Sequence, residues 1–144
     1  MSTYPFPDVN VWLALAHRIH PHHRVAHEWA TQIDRAESFY LCRLTQLGVL
    51  RLLTTSSAMG KDVLTQGAAW VAFDHLAVYW DAVLMEEPLG FEASFRRATM
   101  RDEASPKHWA DAYLATFAQG HELSLVTFDQ AMAKRVRNSI LLEG

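Results

Sequence analysis

Three aspartates lie in segments where an isolated acid would be costly. Asp8 interrupts the apolar run over residues 4–16, Asp111 lies beside apolar neighbours in a helical segment, and Asp129 follows the apolar run over residues 123–127. A carboxylate in such surroundings must be hydrated, paired or bound to a cation, because burying it alone is strongly unfavourable. The three acids are therefore candidates for one charged site.

Carboxylates that share a site repel one another, and their pKa values rise unless a cation compensates. Carboxylate oxygens and water are the ligands that Mg²⁺ prefers, and Mn²⁺ accepts the same donors. A hard divalent metal in such a cluster supports phosphodiester hydrolysis, since it polarises a phosphoryl oxygen and lowers the pKa of a bound water. The residue types thus predict a site for Mg²⁺, with Mn²⁺ as an alternative, at Asp8, Asp111 and Asp129.

The elements that must position these acids alternate between strands and helices. Strands are predicted over residues 4–8, 38–42 and 123–127, with shorter ones over 78–80 and 139–142. Helices are predicted to begin near residues 10, 22, 44, 63, 89 and 105, and a last one runs from Asp129 through Val136. Strands separated by helices pair in parallel through right-handed crossovers, which predicts a three-layer α/β/α sandwich with a central, mainly parallel sheet.

In such sheets, ligands bind beyond the carboxyl ends of the strands. Asp8 and Asp129 each follow the end of a predicted strand, so we expect both at the same rim of the sheet. Either acid is also well placed as the N-cap of the helix that follows it. The sequence leaves the capping and metal-binding interpretations open for each of them.

The 144 residues carry a formal net charge of −3 and a single cysteine, Cys42. We expect one domain over residues 1–144, because no linker or repeat divides the chain. One cysteine allows no internal disulfide and no thiolate cluster, which favours a reducing, cytoplasmic setting. Pro5, Pro7 and Asp8 interrupt the first apolar run well short of a signal sequence or a membrane span, so we expect no membrane partner.

Five histidines over residues 17–27 raise a second metal hypothesis, because His23 and His27 are spaced to share a helix face. Pro21 divides this group and no third ligand set is evident, so solvated histidines are the favoured interpretation. The five tryptophans mostly follow helical apolar spacing, which predicts that they pack in the core.

Four segments, taken together, resemble a known family. They are Phe6-Pro7-Asp8-Val9-Asn10-Val11-Trp12, Cys42-Arg43-Leu44-Thr45-Gln46-Leu47-Gly48, Trp109-Ala110-Asp111-Ala112-Tyr113 and Val126-Thr127-Phe128-Asp129. Over essentially its whole length the chain resembles a PIN domain, and more narrowly the VapC-type toxins of bacterial type II toxin–antitoxin modules. The resemblance implies a metal-dependent endoribonuclease that is usually homodimeric and is held inactive by a cognate antitoxin.

The resemblance also implies roles for individual residues. The acidic, metal-binding positions of the family fall on Asp8, Asp111 and Asp129, and supporting polar groups fall on Asn10, Thr45 and Thr127. One position departs from the family, because Gln46 stands where most members have a glutamate. An amide keeps an acceptor oxygen but lacks the charge, so we expect Gln46 to line the catalytic site and to weaken Mg²⁺ binding.

Basic residues near these segments are candidates for RNA contacts, namely Arg43, Arg51, Lys134 and Arg135. They would bind phosphates without reading the base sequence, and an acidic metal centre needs such neighbours to admit a polyanion. A solvated charged face explains them equally well.

Two other functions are compatible with the sequence. In one, Gln46 leaves a PIN-like module that binds RNA or a partner with little cleavage. In the other, Asp8 is the covalent nucleophile of a phosphoryl-transfer enzyme. Asn10 argues against the latter, because an Asp-x-Asp phosphatase has a second acid at that position, and no Gly-rich phosphate loop is present.

Overall fold

Strand pairing is parallel throughout, in two small sheets. The computed structural model describes residues 4–34 and 37–144. Strands β1 (Pro5–Pro7), β4 (Ser124–Thr127) and β5 (Ser139–Leu141) form one sheet in the order β1-β4-β5, and β2 (Phe39–Leu41) pairs with β3 (Ala82–Leu84) in the other. Because all pairs are parallel, the carboxyl ends of the strands in each sheet lie on one edge.

The two prolines of β1 explain why the sheet is divided. The amide of Asp8 donates to the carbonyl of Val126 at 2.8 Å, and alternate residues of a strand direct their amides to opposite sides. The nitrogens of Pro5 and Pro7 therefore face away from β4, on the side where β2 runs next to β1. Proline has no N–H to donate, so β1 and β2 pack together without a hydrogen-bonded ladder.

Helices follow or connect the strands. Their bounds are α1 Val9–Ala16, α2 His23–Thr31, α3 Arg43–Leu53, α4 Ser56–Met59, a 3₁₀ turn at Gly60–Asp62, α5 Gln66–Tyr79, α6 Phe91–Thr99, α7 Pro106–Gly120 and α8 Gln130–Ala133. Within the described ranges, none of these helices combines the length and apolar character that a bilayer crossing needs.

Two apolar cores lie on opposite faces of the strands. The first packs α1, α2, α3 and α5 together and includes Trp12, Phe39 and Val126. The second packs α6, α7 and α8 against Phe6 and Leu125. Neighbouring residues of β4 thus point into different cores, as the alternation of a strand requires. This arrangement confirms the predicted three-layer α/β/α sandwich.

Two sequence-based predictions about elements were wrong. Residues 78–80 are not a strand, because Val78 and Tyr79 complete α5 and Trp80 caps it with its side chain buried. The helix ends where Asp81 adopts a positive φ of 53°, and β3 begins at the next residue. The last helix stops at Ala133 rather than Val136, although Val136 is still buried in the second core.

Candidate active site

The turn from β1 to α1 positions the carboxylate of Asp8. Asp8 is the N-cap of α1, and its Oδ1 accepts a hydrogen bond from the amide of Val9 at 2.8 Å. The backbone of the same residue is fixed to β4 through the carbonyl of Val126. The capping interpretation is therefore correct for Asp8, and the cap leaves Oδ2 for other partners.

A hydrogen-bond network joins Asp8 to the end of β4. The Thr127 hydroxyl donates to Asp8 Oδ2 at 2.9 Å and accepts from the amide of Asp129 at 3.0 Å. Asn10 spans the same gap, because its Nδ2 donates to Thr127 Oγ1 at 3.5 Å and its Oδ1 accepts from the amide of Phe128 at 3.4 Å. Thr127 is fully buried, so this network fixes the spacing of the two strand ends.

Asp129 also acts as a helix cap. Its Oδ1 accepts from the amides of Ala131 and Met132 at 2.9 and 3.2 Å, at the start of α8. The other carboxylate oxygen has no hydrogen-bond donor among the described residues. One oxygen of Asp129 is thus fixed by the backbone and the second is free to accept a ligand.

The environment of Asp8 disfavours the ionised form of its carboxyl group. Its burial raises the pKa of the carboxyl above its ordinary value, and the hydrogen bonds from Thr127 and Val9 oppose this effect only in part. The carboxylates of Asp129 and Asp111 raise the pKa of Asp8 further. In residues 4–34 and 37–144, no Lys, Arg or His forms an ion pair with any of the three acids.

The donor set fits a hard divalent cation, although it is not a closed cage. No three His, Cys, Asp or Glu side chains in the described part of the chain are close enough to enclose a metal as they stand. Mg²⁺ does not require such a cage, because it keeps several waters and uses only one or two carboxylates. The uncompensated charge around Asp8 is what such a cation would relieve, so Asp8, Asp111 and Asp129 fit the predicted ion.

Gln46 and Thr45 have other partners on α3. The side chain of Gln46 is 7% exposed, and its Oε1 accepts a hydrogen bond from Arg43 Nη1 at 2.5 Å. The hydroxyl of the fully buried Thr45 lies 3.1 Å from Cys42 Sγ. Neither side chain forms a hydrogen bond to Asp8, Asp111 or Asp129.

The structure has a cleft beyond the ends of β2 and β3 that was not predicted from the sequence. It has a volume of about 550 Å³ and is lined by Arg43, Leu84, Met85, Glu86, Glu87 and Tyr113. The Tyr113 hydroxyl donates to Glu87 Oε2 at 2.8 Å, and burial together with this bond raises the pKa of Tyr113. With the third strand placed over residues 78–80, Glu86 and Glu87 did not follow a predicted strand end.

The remaining candidates for RNA contacts are exposed and scattered. Arg51 lies two turns beyond Arg43 on α3, whereas Lys134 and Arg135 follow α8. Arg135 Nη1 lies 3.1 Å from His108 Nδ1. The four basic residues therefore do not form one patch through direct contacts.

The histidines over residues 17–27 are half-buried rather than fully solvated. His17 Nε2 lies 3.1 Å from Asp62 Oδ2, and His23 Nδ1 lies 2.7 Å from the carbonyl oxygen of Ala14.

The tryptophans are only partly as predicted. Trp12 and Trp80 are buried, but Trp70 and Trp109 are 47% and 58% exposed, so the core prediction was wrong for these last two.

Comparisons with known proteins agree with the fold. The sequence matches the PIN domain family over residues 6–138. Ribonuclease VapC41 of Mycobacterium tuberculosis is 40% identical over 134 residues, which cover 88% of this chain and 90% of that protein. The structure of FitAcB from Neisseria gonorrhoeae matches with a TM-score of 0.63 at 17% identity, over 95% of this chain and 96% of that one.

A second solved structure, VapBC2 from Rickettsia felis bound to a DNA fragment from its promoter, has a TM-score of 0.62 at 10% identity. It covers 96% of this chain and 97% of that one. At these identities the two structures show a shared fold.

Proposed function

The chain belongs to the PIN-domain family and, within it, to the VapC ribonucleases, and from this premise we propose that it is an endoribonuclease that acts as the toxin of a type II toxin–antitoxin module. One observation carries the proposal. A partly buried carboxylate, Asp8, lies near Asp111 and Asp129, and in residues 4–34 and 37–144 no cationic side chain forms an ion pair with any of the three. Such an arrangement is unfavourable for a purely structural site and useful for binding a metal.

In this proposal Asp8, Asp111 and Asp129 hold Mg²⁺, and Mn²⁺ is an alternative. Held by these carboxylates, the ion would supply polarisation of a phosphoryl oxygen and a more acidic water. The chain's own residues fix the carboxylates: the Thr127 hydroxyl orients Asp8, and the α8 backbone restrains one oxygen of Asp129. Asn10 maintains the spacing between the two strand ends.

The partners follow from the same premise. We propose a cognate antitoxin that silences the toxin, a homodimeric toxin, and action in the cytoplasm, where RNA is available. Arg43, Arg51, Lys134 and Arg135 remain proposed contacts for the RNA backbone.

Cleavage of total RNA with and without chelator tests the enzyme. We expect EDTA to abolish cleavage and Mn²⁺ or Mg²⁺ to restore it. Asp129→Asn is the sharpest variant, because asparagine caps a helix as well as aspartate and so preserves stability while removing the charge. Asp74→Asn, on the exposed face of α5, is the matched neutral change and should keep full activity. Chelator-resistant cleavage, or a fully active Asp129→Asn, would contradict the proposal.

A second candidate is a PIN-like module that binds RNA or a partner with little cleavage. It is favoured by one contact, since the oxygen of Gln46 is engaged by Arg43. Purified protein that binds RNA but does not cleave it in excess Mn²⁺ would support this candidate. Metal-dependent cleavage that Asp111→Ala abolishes would exclude it.

A further inference from the structure

In the first turn of α3, the guanidinium of Arg43 donates a hydrogen bond to the neutral amide of Gln46. Arg43 is the first residue of α3, two positions past the end of β2, and its side chain is exposed. Gln46 lies one turn later and is 7% exposed, and its Oε1 accepts from Arg43 Nη1 at 2.5 Å. A buried side chain thus fixes an exposed guanidinium at the carboxyl end of the second sheet.

The chemistry of the pair fixes its orientation. A guanidinium can only donate, so the amide oxygen of Gln46 must face Arg43. In the described ranges no carboxylate lies within 4.0 Å of Arg43, which therefore has no ion-pair partner. Glu87, which lines the same cleft, instead accepts a hydrogen bond from Tyr113. The guanidinium of Arg43 is thus held in place without a direct ion pair, and Glu86 lines the same cleft beyond 4.0 Å.

We propose that Arg43 binds a backbone phosphate of the RNA and that Gln46 is its positioning residue rather than a metal ligand. The inference rests on the proposed ribonuclease function. A guanidinium matches a phosphate through two parallel hydrogen bonds. A polyanion that approaches Asp8, Asp111 and Asp129 meets repulsion, and a cation without an ion-pair partner at the start of α3 would offset part of it.

The neutral amide is central to this role. A glutamate at position 46 has the same length and accepts the same hydrogen bond, but it neutralises Arg43 within the chain. A merely structural role for Gln46 predicts that Gln46→Glu leaves RNA binding unchanged. The positioning role predicts that it weakens binding nearly as much as removal of Arg43.

Binding of a fluorescently labelled single-stranded RNA in EDTA, followed by anisotropy over a range of KCl concentrations, tests the proposal. Each phosphate contact to a single strand contributes about 0.7 to the slope of log affinity against log salt, which is roughly fivefold in affinity at 0.1 M salt. We expect Arg43→Ala and Gln46→Glu each to flatten the slope by about this amount. In cleavage assays with Mn²⁺, Gln46→Glu should raise KM and leave kcat nearly unchanged.

Arg18→Ala is the matched control, because it removes the same charge from an exposed position just past the carboxyl end of α1, the end of that helix opposite to Asp8. It should bind RNA like the wild type. Equal losses in Arg43→Ala and Arg18→Ala would show a diffuse charge effect and overturn the proposal. So would a wild-type chain that does not bind the RNA, or a Gln46→Glu variant that binds Mn²⁺ more tightly and RNA equally well.

These outcomes separate this inference from the proposed function. Arg43-dependent binding by a chain that never cleaves RNA would defeat the ribonuclease proposal and leave the phosphate contact standing. Chelator-sensitive cleavage with RNA binding unaffected by Arg43→Ala would defeat the phosphate contact alone.

Discussion

Past β1 and β4, two carboxylates are held by neutral donors, whereas past β2 a guanidinium is held by a neutral acceptor. Within the described ranges, Asp8 and Asp129 receive side-chain hydrogen bonds only from backbone amides and the Thr127 hydroxyl. Arg43 donates to the amide oxygen of Gln46. The first region, around Asp8 and Asp129 past β1 and β4, is partly buried and closely hydrogen-bonded. The second region, around Arg43 past β2, opens into a cleft.

Both regions keep a charge available for a ligand in the same way. A neutral partner fixes the position of a charged group without cancelling its charge, which an ion pair would do. The carboxylates then attract a cation, and the guanidinium attracts an anion. A substrate phosphate and its metal require both properties within one site.

The largest effect is expected from removing the charge of Asp8. Loss of a residue that only supports a metal ligand typically costs tenfold to 100-fold in activity, so Asp8→Asn should lower metal-dependent cleavage by more than about 100-fold. Cleavage rates of labelled RNA in saturating Mn²⁺ measure this. Asp74→Asn is again the control, and an Asp8→Asn variant that cleaves at the wild-type rate would show that the Asp8 carboxylate has no catalytic role.

The next largest effect is expected from replacing a buried threonine, and it should differ between Thr127 in the first region and Thr45 on α3. Thr127→Val should cost about 1–3 kcal/mol, because the amide of Asp129 loses its buried acceptor and Asp8 loses a donor. Mn²⁺ affinity should fall by about tenfold to 100-fold. Thr45→Val is the matched change, since Thr45 is equally buried but the one hydrogen-bond partner of its hydroxyl among the described residues is Cys42 Sγ.

Urea unfolding and calorimetric Mn²⁺ titration compare the two threonine variants. Thr45→Val should lose less stability and no Mn²⁺ affinity. If the two variants behaved alike, burial rather than the hydrogen-bond network would explain the effect, and the contrast between the regions would fail.

A smaller, pH-dependent effect follows from the raised pKa of Asp8. When the folded-state pKa lies above the unfolded value, protonation favours the folded state. This contribution to stability is complete below the unfolded pKa, near 3.8, and is lost as the pH rises through the folded pKa. Without metal, Asp8→Asn should therefore gain stability over wild type as the pH rises from about 4 towards neutrality.

Thermal unfolding of both proteins in EDTA across this pH range measures the effect. Mn²⁺ should stabilise the wild type at neutral pH and not Asp8→Asn, because only the wild type retains the ligand. A difference in melting temperature that does not change with pH would mean that Asp8 ionises as readily in the folded chain as in the unfolded one.

The sequence predicted the first region better than the second, for physical reasons. Asp8 and Asp129 interrupt clear apolar runs at points where the hydrophobic period changes, so their places at strand ends could be deduced. Strand β3 was misplaced because Val78 and Tyr79 favour strands yet complete a helix. The break depends on the positive φ of Asp81, which the apolar pattern does not encode.

Because β3 was misplaced, the cleft next to Arg43 was not predicted from the sequence. Glu86 and Glu87 did not follow a predicted strand end, and Gln46 was interpreted through its family position as lining the catalytic site. The three-residue spacing of Arg43 and Gln46, which places them on one helix face, was the available indication of their pairing.

The smallest effect is expected from a substitution at Gly48, where α3 contacts the start of α1 and so joins the two regions. Gly48 on α3 packs against Val9, the residue after Asp8, and a Cβ at position 48 would lie 2.6 Å from Val9 Cγ2. Valine is stiff at χ1, so α3 must shift away from the start of α1, at a cost of about 1–3 kcal/mol. The higher helix propensity of alanine returns up to about 1 kcal/mol.

Gly48→Ala should therefore be neutral to destabilising by about 2 kcal/mol, and it should weaken cleavage more than RNA binding, since it displaces Asp8 relative to Arg43. Gly67→Ala on α5 is the matched control, because no atom lies within 4 Å of its added Cβ, and it should stabilise the chain by up to about 1 kcal/mol. Urea unfolding gives the sign for each variant. Equal stabilisation by both would mean that Val9 yields freely, so that the spacing between the acidic and basic regions depends on the Asn10 and Thr127 network instead.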